Sequence, residues 1–155
     1  MDITALVGQK LNAVWVSHPR FQPHAAWSDQ TTPDIQSLFV NLACTGVPVV
    51  RVIPCEVDDP LRYPALGIKL QEVDESPDHG RWYEGTLTQA EVLSELASYL
   101  PASIAQVRLW DALGEGPDSA LDVVLDNGIK LTVRHIMPPM ILGIEIFNTA
   151  KDTEA

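Results

Sequence analysis

The sequence predicts an α+β fold that is mainly antiparallel β, with one main helix at about residues 88–100. Short segments in which apolar and polar residues alternate are typical of half-buried strands, and they recur along the 155-residue chain. The order of these segments in the first half is repeated in the last third. This repetition predicts two similar (helix)-strand-hairpin-strand units, related by approximate twofold pseudo-symmetry, that close over one shared apolar core.

The first unit spans about residues 1–72. A single helical turn is expected at Ile3 to Leu6, ahead of the strands. Alternation then predicts strands at 11–16, 38–42, 50–53 and 66–70. Gly46 lies in the turn between the second and third of these strands, which therefore form a hairpin.

A helix is predicted between the units. Thr88 and Glu91 have the spacing of a capping box, in which each side chain satisfies a free backbone donor of the other residue. Pro101 ends the helical pattern. The apolar stripe expected to face the core consists of Val92, Leu93, Leu96 and Leu100.

The second unit spans about residues 86–147, and strands are predicted at 104–109, 121–125, 133–136 and 142–146. Asn127-Gly128 predicts a tight type I′ hairpin turn, because both residue types tolerate positive φ angles. Residues 148–155 are predicted to be a frayed tail.

Length and composition favour a single domain over residues 1–155. Hydrophobic residues make up 46% of the chain but are dispersed, whereas a membrane span needs about 20 consecutive apolar residues. Residues 1–10 carry an early acidic residue and lack the pattern of a secretory signal, so we expect a cytoplasmic protein. Cys44 and Cys55 are interpreted as small buried hydrophobes, not as a disulfide.

Charge is distributed unevenly. The net charge is -11, yet the acidic and basic residues of 1–51 balance, so the later residues carry the whole excess. Nucleic acid is excluded as a partner, because binding to phosphates needs the opposite sign. Glu56, Asp58 and Asp59 open the densest acidic stretch, which forms either a solvated face or a patch that recruits a basic partner protein.

The link at residues 17–36 is the second candidate for partner binding. Three prolines prevent regular structure there, and loops of this length are uncommon unless they are functional or disordered. Aromatic residues and arginine are enriched in protein interfaces, and the partner-binding residues predicted in this link are Arg20, Phe21, His24 and Trp27. The alternative is that the link covers an open end of the sheet.

Motifs for catalysis are absent from the sequence. It contains no GxSxG, SxxK, P-loop or GxGxxG pattern, and its histidines lack metal-ligand spacing, so no catalytic residue, metal or cofactor is predicted. Arg51 and Arg134 occupy matching places in the two units. Together with His135 they could clamp a small anionic ligand in a pocket between the units, since a guanidinium binds carboxylates and phosphates in a fork. The alternative is that these arginines pair with nearby acids.

The function that the sequence favours is a non-enzymatic, acidic protein-binding module. Small size, acidity and the lack of catalytic motifs form a profile shared with bacterial immunity proteins that inhibit a partner, although no motif links this chain to them. One alternative is a small anionic ligand-binding protein or enzyme with its pocket between the units. Another is a structural homodimer subunit, whose edge strands pair with a second chain.

Overall fold

The computed structural model describes residues 1–19, 33–58, 64–81, 85–136 and 140–149. A 3₁₀ turn at Ile3–Leu6 precedes the first strand, and Asp2 caps it by accepting a hydrogen bond from the backbone N–H of Thr4. The strands of the first half are β1 Lys10–Ser17, β2 Ile35–Ser37, β3 Val40–Cys44, β4 Val49–Val57, β5 Ala65–Val73 and β6 His79–Arg81. The later elements are β7 Leu87–Val92, α1 Ser94–Ala97, β8 Ala102–Trp110, β9 Ala120–Leu125, β10 Ile129–Ile136 and β11 Ile141–Asn148.

All strand pairs within the described ranges are antiparallel and belong to one sheet. Its order is β2-β11-β10-β9-β8-β1-β3-β4-β5, and β7 joins β1 to β6 beside this path. The join between β1 and β8 is short, with Lys10 opposite Ser103 and Leu11 opposite Ala102. The predicted α+β fold of two packed units is therefore wrong, because the described residues form a single β-sheet.

The predicted helix at 88–100 is also wrong. Residues 87–92 form β7, which pairs with β1 along one edge and with β6 along the other. Within residues 88–100, only the four residues of α1 are helical. Two neighbouring strands satisfy the backbone groups of β7, whereas an isolated helix of about 12 residues is marginal in water. Leu93 and Leu96 are buried as expected, but Val92 is exposed.

The alignment proposed between the two halves fails in register. Arg51 lies opposite Asn41 in the β3–β4 ladder, whereas Arg134 lies opposite Ala120 in the β9–β10 ladder, so the two arginines do not occupy matching places.

The β9–β10 turn also differs from the predicted type I′ form. Gly128 has a φ of 85°, but Asn127 is not in the positive-φ region, so a three-residue loop with one left-handed glycine makes the turn.

The sheet folds over on itself and encloses one main core. Residues from both parts of the sheet share this core, among them Val14 and Leu42 from one part and Val123 and Leu131 from the other.

The predicted frayed tail at 148–155 begins in ordered structure, because Asn148 ends β11. Residues 150–155 lie outside the described ranges. Neither helix in the described part of the chain is long and apolar enough to cross a membrane.

A smaller apolar cluster lies on the opposite face of the sheet and positions the candidate site. Phe39, Ile53 and Ala90 are its buried members. Gly80 of β6 lies directly on the Phe39 ring, since a Cβ at this glycine would be 2.7 Å from Phe39 Cε2. The strand β6 is thereby seated over the outer face of β3 and β4.

Candidate functional site

A cavity of about 530 Å³ lies between the outer face of β4–β5 and the segment that leads into β6. Its cationic side chains are Arg51, Lys69 and Arg81, and its carboxylates are Glu56 and Glu75. The remaining lining residues are Ile53, Cys55, Gln71 and Val73. Small-molecule sites are concave and have volumes of about 300–1,000 Å³, so this cavity is large enough for a small ligand.

Strand register explains how these side chains converge. Arg51 lies opposite Gln71, and Ile53 lies opposite Lys69, in the β4–β5 ladder. Side chains alternate between the two faces of a strand, so the apolar neighbours Val50 and Val52 enter the main core while Arg51 and Ile53 face the cavity. From Arg51 to Cys55 the floor of the cavity runs about 13 Å along β4.

Arg51 is the buried anchor of the site, with 2% of its surface exposed. Its Nε donates to Asn41 Oδ1 at 3.0 Å, and its Nη2 donates to the carbonyl of His79 at 3.1 Å and to Glu75 Oε2 at 3.3 Å. A buried charge is tolerated only when it is paired and hydrogen-bonded, and these contacts meet that condition. The guanidinium is therefore held in one place before any ligand arrives.

Asn41 extends the network to the roof of the cavity. Its buried side-chain amide donates to the carbonyls of Pro77 and His79, at 3.1 and 3.0 Å. With Arg51, it fastens residues 75–81 to the sheet through main-chain acceptors. Since β6 is also paired with β7 and seated on Phe39, the roof of the cavity is rigidly supported.

Lys69 and Arg81 differ from Arg51 in having exposed side chains. Among the described residues, the structure shows no hydrogen bond or ion pair made by either of these two side chains. Arg51 already faces Glu75, so the positive charge not paired within the described part of the cavity comes from Lys69 and Arg81. Three of the ten basic residues of a chain with a net charge of -11 thus border one cavity.

The two thiols have different surroundings. Cys55 lines the cavity and is partly exposed, whereas Cys44 is buried in the core. Burial raises the pKa of Cys55, and Lys69 opposes that shift by favouring the thiolate; burial alone raises the pKa of Cys44. Nothing in this geometry activates either thiol as a nucleophile, because both pKa values lie above the ordinary value.

The three residues proposed as an anion clamp lie in different places. Only Arg51 lines the cavity. Arg134 Nε donates to Glu145 Oε1 at 2.9 Å on the β10–β11 ladder, which is the paired alternative. His135 is fully buried, with its ring bonded to Gly67 and Met140, so the structure does not bring the three side chains together.

The predicted partner-binding residues are only partly described. Glu56 lines the cavity, and Asp58 is exposed just beyond the end of β4. Arg20, Phe21, His24, Trp27 and Asp59 lie outside the described residues. The described residues contain no group of three His, Cys, Asp or Glu side chains that could hold a metal ion.

Sequence reasoning missed Lys69, Gln71 and Arg81. A usable signal existed for the first two, since Lys69 and Gln71 alternate with the apolar Ile68 and Leu70 and therefore share one face of a strand. Arg81 offered no comparable signal, because β6 has only three residues and follows a stretch rich in acids and turns.

Comparisons of this chain with protein-family models, with curated proteins and with solved structures found no match.

Proposed function

We propose that this protein binds a small organic anion in the cavity between β4–β5 and β6. The observation that carries the proposal is the group of three cationic side chains at one cavity of about 530 Å³ in a strongly acidic chain. A carboxylate or phosphate group suits Lys69 and Arg81, since charge-assisted hydrogen bonds to such oxygens are short and strong. Ile53 and Val73 offer an apolar surface to the body of the ligand.

Pre-organisation supports the same proposal. Arg51 and Asn41 hold the roof segment through three hydrogen bonds to main-chain carbonyls, so little order has to be created on binding. The proposal includes a cytoplasmic location, which the free thiols of Cys44 and Cys55 support, because reducing compartments keep thiols unpaired.

The test is a ¹H–¹⁵N NMR titration with inorganic phosphate and, separately, with succinate as a dicarboxylate. We expect shifts confined to amides of β4, β5 and β6. Lys69→Gln and Arg81→Gln should each weaken binding by about tenfold or more, the usual effect of losing a hydrogen bond to a charged group. Lys10→Gln removes the same charge from an exposed site outside the cavity and should leave the affinity unchanged. Shifts scattered over the surface, or an equal loss in Lys10→Gln, would contradict the proposal.

A second candidate function is recognition of a basic protein, as expected for an immunity-type inhibitor. The observation that favours it is the exposure of the acidic side chains within β5 and on either side of it in sequence, namely Glu56, Asp58, Glu72, Asp74 and Asp78. Long-range attraction to such a surface accelerates association and weakens with salt. Affinity for a purified basic partner should fall with salt and on replacing Asp74 and Asp78 by Asn, but not on replacing Asp126, an exposed acid in the β9–β10 turn. An equal loss of affinity in Asp126→Asn would mean that the partner is attracted by the net charge of the protein alone.

The homodimer stays a prediction, which sedimentation velocity tests.

A further inference from the structure

The imidazole of His135 bridges two parts of the sheet that do not pair as strands. Its Nδ1 donates to the carbonyl oxygen of Gly67 on β5 at 2.8 Å, and its Nε2 accepts from the backbone N–H of Met140 at 2.8 Å. This pattern requires the neutral ring with its proton on Nδ1, because one ring nitrogen donates while the other accepts. None of the residue is exposed.

The His135 ring holds β5 and β10 together where the two strands do not pair, a contact called the seam below. The backbone of His135 is itself fixed, since its N–H donates to Ser119 O at 2.9 Å. Two further bonds join β5 to the loop before β9, from Ile68 N to Asp118 O at 2.9 Å and from Leu66 N to Glu115 Oε1 at 2.8 Å. The ring therefore contributes a substantial share of the polar contacts that join β5 to the later half of the chain in its described part.

We propose that His135 is an acid-sensitive latch, whose neutral ring holds the seam between β5 and β10 closed and whose protonation opens it. A protonated ring carries N–H groups on both nitrogens, so Nε2 would face the N–H of Met140 as a second donor. The latch would then lose one of its two hydrogen bonds and bury a charge. Since β5 also carries Lys69 and Gln71, the same event would loosen one wall of the cavity.

Burial and the polar groups around the ring shift the pKa of His135 in opposite directions. Burial lowers the pKa of His135 below its ordinary value of 6.5, whereas the Gly67 carbonyl and the carboxylates of Glu115 and Glu56 favour the charged ring. Glu115 lies in the loop before β9, where its Oε1 accepts from Leu66 N at 2.8 Å, and Glu56 lies near the end of β4. Asp118 in the same loop is exposed. Burial is the largest of these effects, so the closed form holds the neutral ring.

The sign of the pH dependence follows from this. The lowered pKa in the closed state means that the latch stabilises the fold fully above pH 6.5, and that this stability is lost as the pH falls through the pKa of the closed form. Between pH 7.5 and pH 5.0 the unfolding equilibrium constant can rise through this group by at most about 30-fold, the limit for a ring that binds its proton only in the open state.

The test compares urea unfolding of the wild type and His135→Gln at pH 7.5 and 5.0. Glutamine does not titrate in this range, yet its amide can donate to Gly67 O and its oxygen can accept from Met140 N. We expect the rise in the unfolding equilibrium constant from pH 7.5 to pH 5.0 to be several-fold to 30-fold larger in the wild type than in this variant. His18→Gln is the matched control for the loss of a histidine, because that half-exposed side chain lies just after β1, outside the contact between β5 and β10. This variant should keep most of the acid-induced rise of the wild type. Equal profiles for the wild type and His135→Gln would overturn the proposal.

A second measurement decides the question if His135→Gln does not fold. In the wild type, ¹⁵N shifts of the imidazole should show that the Nδ1-protonated neutral ring persists below pH 6.5. Exchange protection of the Met140 amide, corrected for intrinsic rates, should fall several-fold between pH 7.5 and 5.0. An imidazole of His135 that is half protonated at pH 6.5 or above, with unchanged protection at Met140, would overturn the latch.

Discussion

Replacing Arg51 by Met removes the anchor of the cavity while keeping a side chain of similar length. We expect the free energy of unfolding to fall by about 2 kcal/mol. The size follows from what each former partner can do afterwards. Asn41 Oδ1 is fully buried and would be left without its donor, which costs about 1–3 kcal/mol.

The other two partners lose less. The carbonyl of His79 keeps its hydrogen bond from Asn41 Nδ2 at 3.0 Å. The side chain of Glu75 is 35% exposed, so water can replace the guanidinium, and its ion pair contributes little after screening. Methionine restores part of the packing against Phe39, whose ring centroid lies 5.8 Å from the guanidinium carbon.

The assay is urea unfolding followed by tryptophan fluorescence, together with the melting temperature, which should fall by roughly 4–8 °C for a protein of this size. Arg108→Met is the matched control. That side chain is 63% exposed, its Nε lies 3.8 Å from Asp122, and its guanidinium carbon lies 4.9 Å from the centroid of the Trp110 ring, so its removal should cost less than about 1 kcal/mol. If Arg51→Met costs no more than this control, the argument that Arg51 anchors the roof of the cavity is refuted.

Three other predictions follow from local geometry. Gly80→Ala should destabilise the fold by about 1–3 kcal/mol, because the new methyl meets the ring of Phe39, and Phe39→Leu should recover part of that loss in a double-mutant cycle; an additive cycle would contradict the contact. Cys55 should react with a thiol reagent well before the buried Cys44, as measured by mass spectrometry. Faster reaction of Cys44 would contradict the exposure of Cys55 at the cavity. Asp111 accepts hydrogen bonds from the backbone N–H groups of residues 114–116, which lower the pKa of its carboxyl, so this loop should be ordered above pH 3.8 and should lose amide protection as the pH falls through the lowered pKa. Unchanged protection in Asp111→Ala would refute that role.

Sequence patterns predicted strands better than they predicted the helix. Leu121, Val123 and Leu125 alternate with polar or partly exposed positions, and β9 lies where this alternation indicates. Residues 88–92 carry a pattern compatible with a capped helix, but the pattern contains no information about neighbouring strands. Pairing with both β1 and β6 decides their structure, and the pairing with β1 joins residues more than 70 positions apart.

The candidate site was likewise predictable from the sequence only in part. Arg51 was identified from sequence as a possible ligand contact, but its matching with Arg134 rested on an alignment that the ladders do not follow. Lys69 is brought opposite Ile53 by the β4–β5 register, and Arg81 is brought over the same face by the seating of β6 on Phe39. Neither juxtaposition follows from spacing along the chain.

By itself, the sequence determined the acidity of this protein and the local alternation that makes strands. Both are properties of neighbouring residues or of simple sums, so they need no knowledge of the fold. The tertiary structure alone decided that Arg51, Lys69 and Arg81 share a cavity and that His135 joins β5 to β10. The physical reason is that strand register and the folding over of the sheet are set by burying apolar surface between distant segments, and a shift of one residue would turn each of these side chains to the other face.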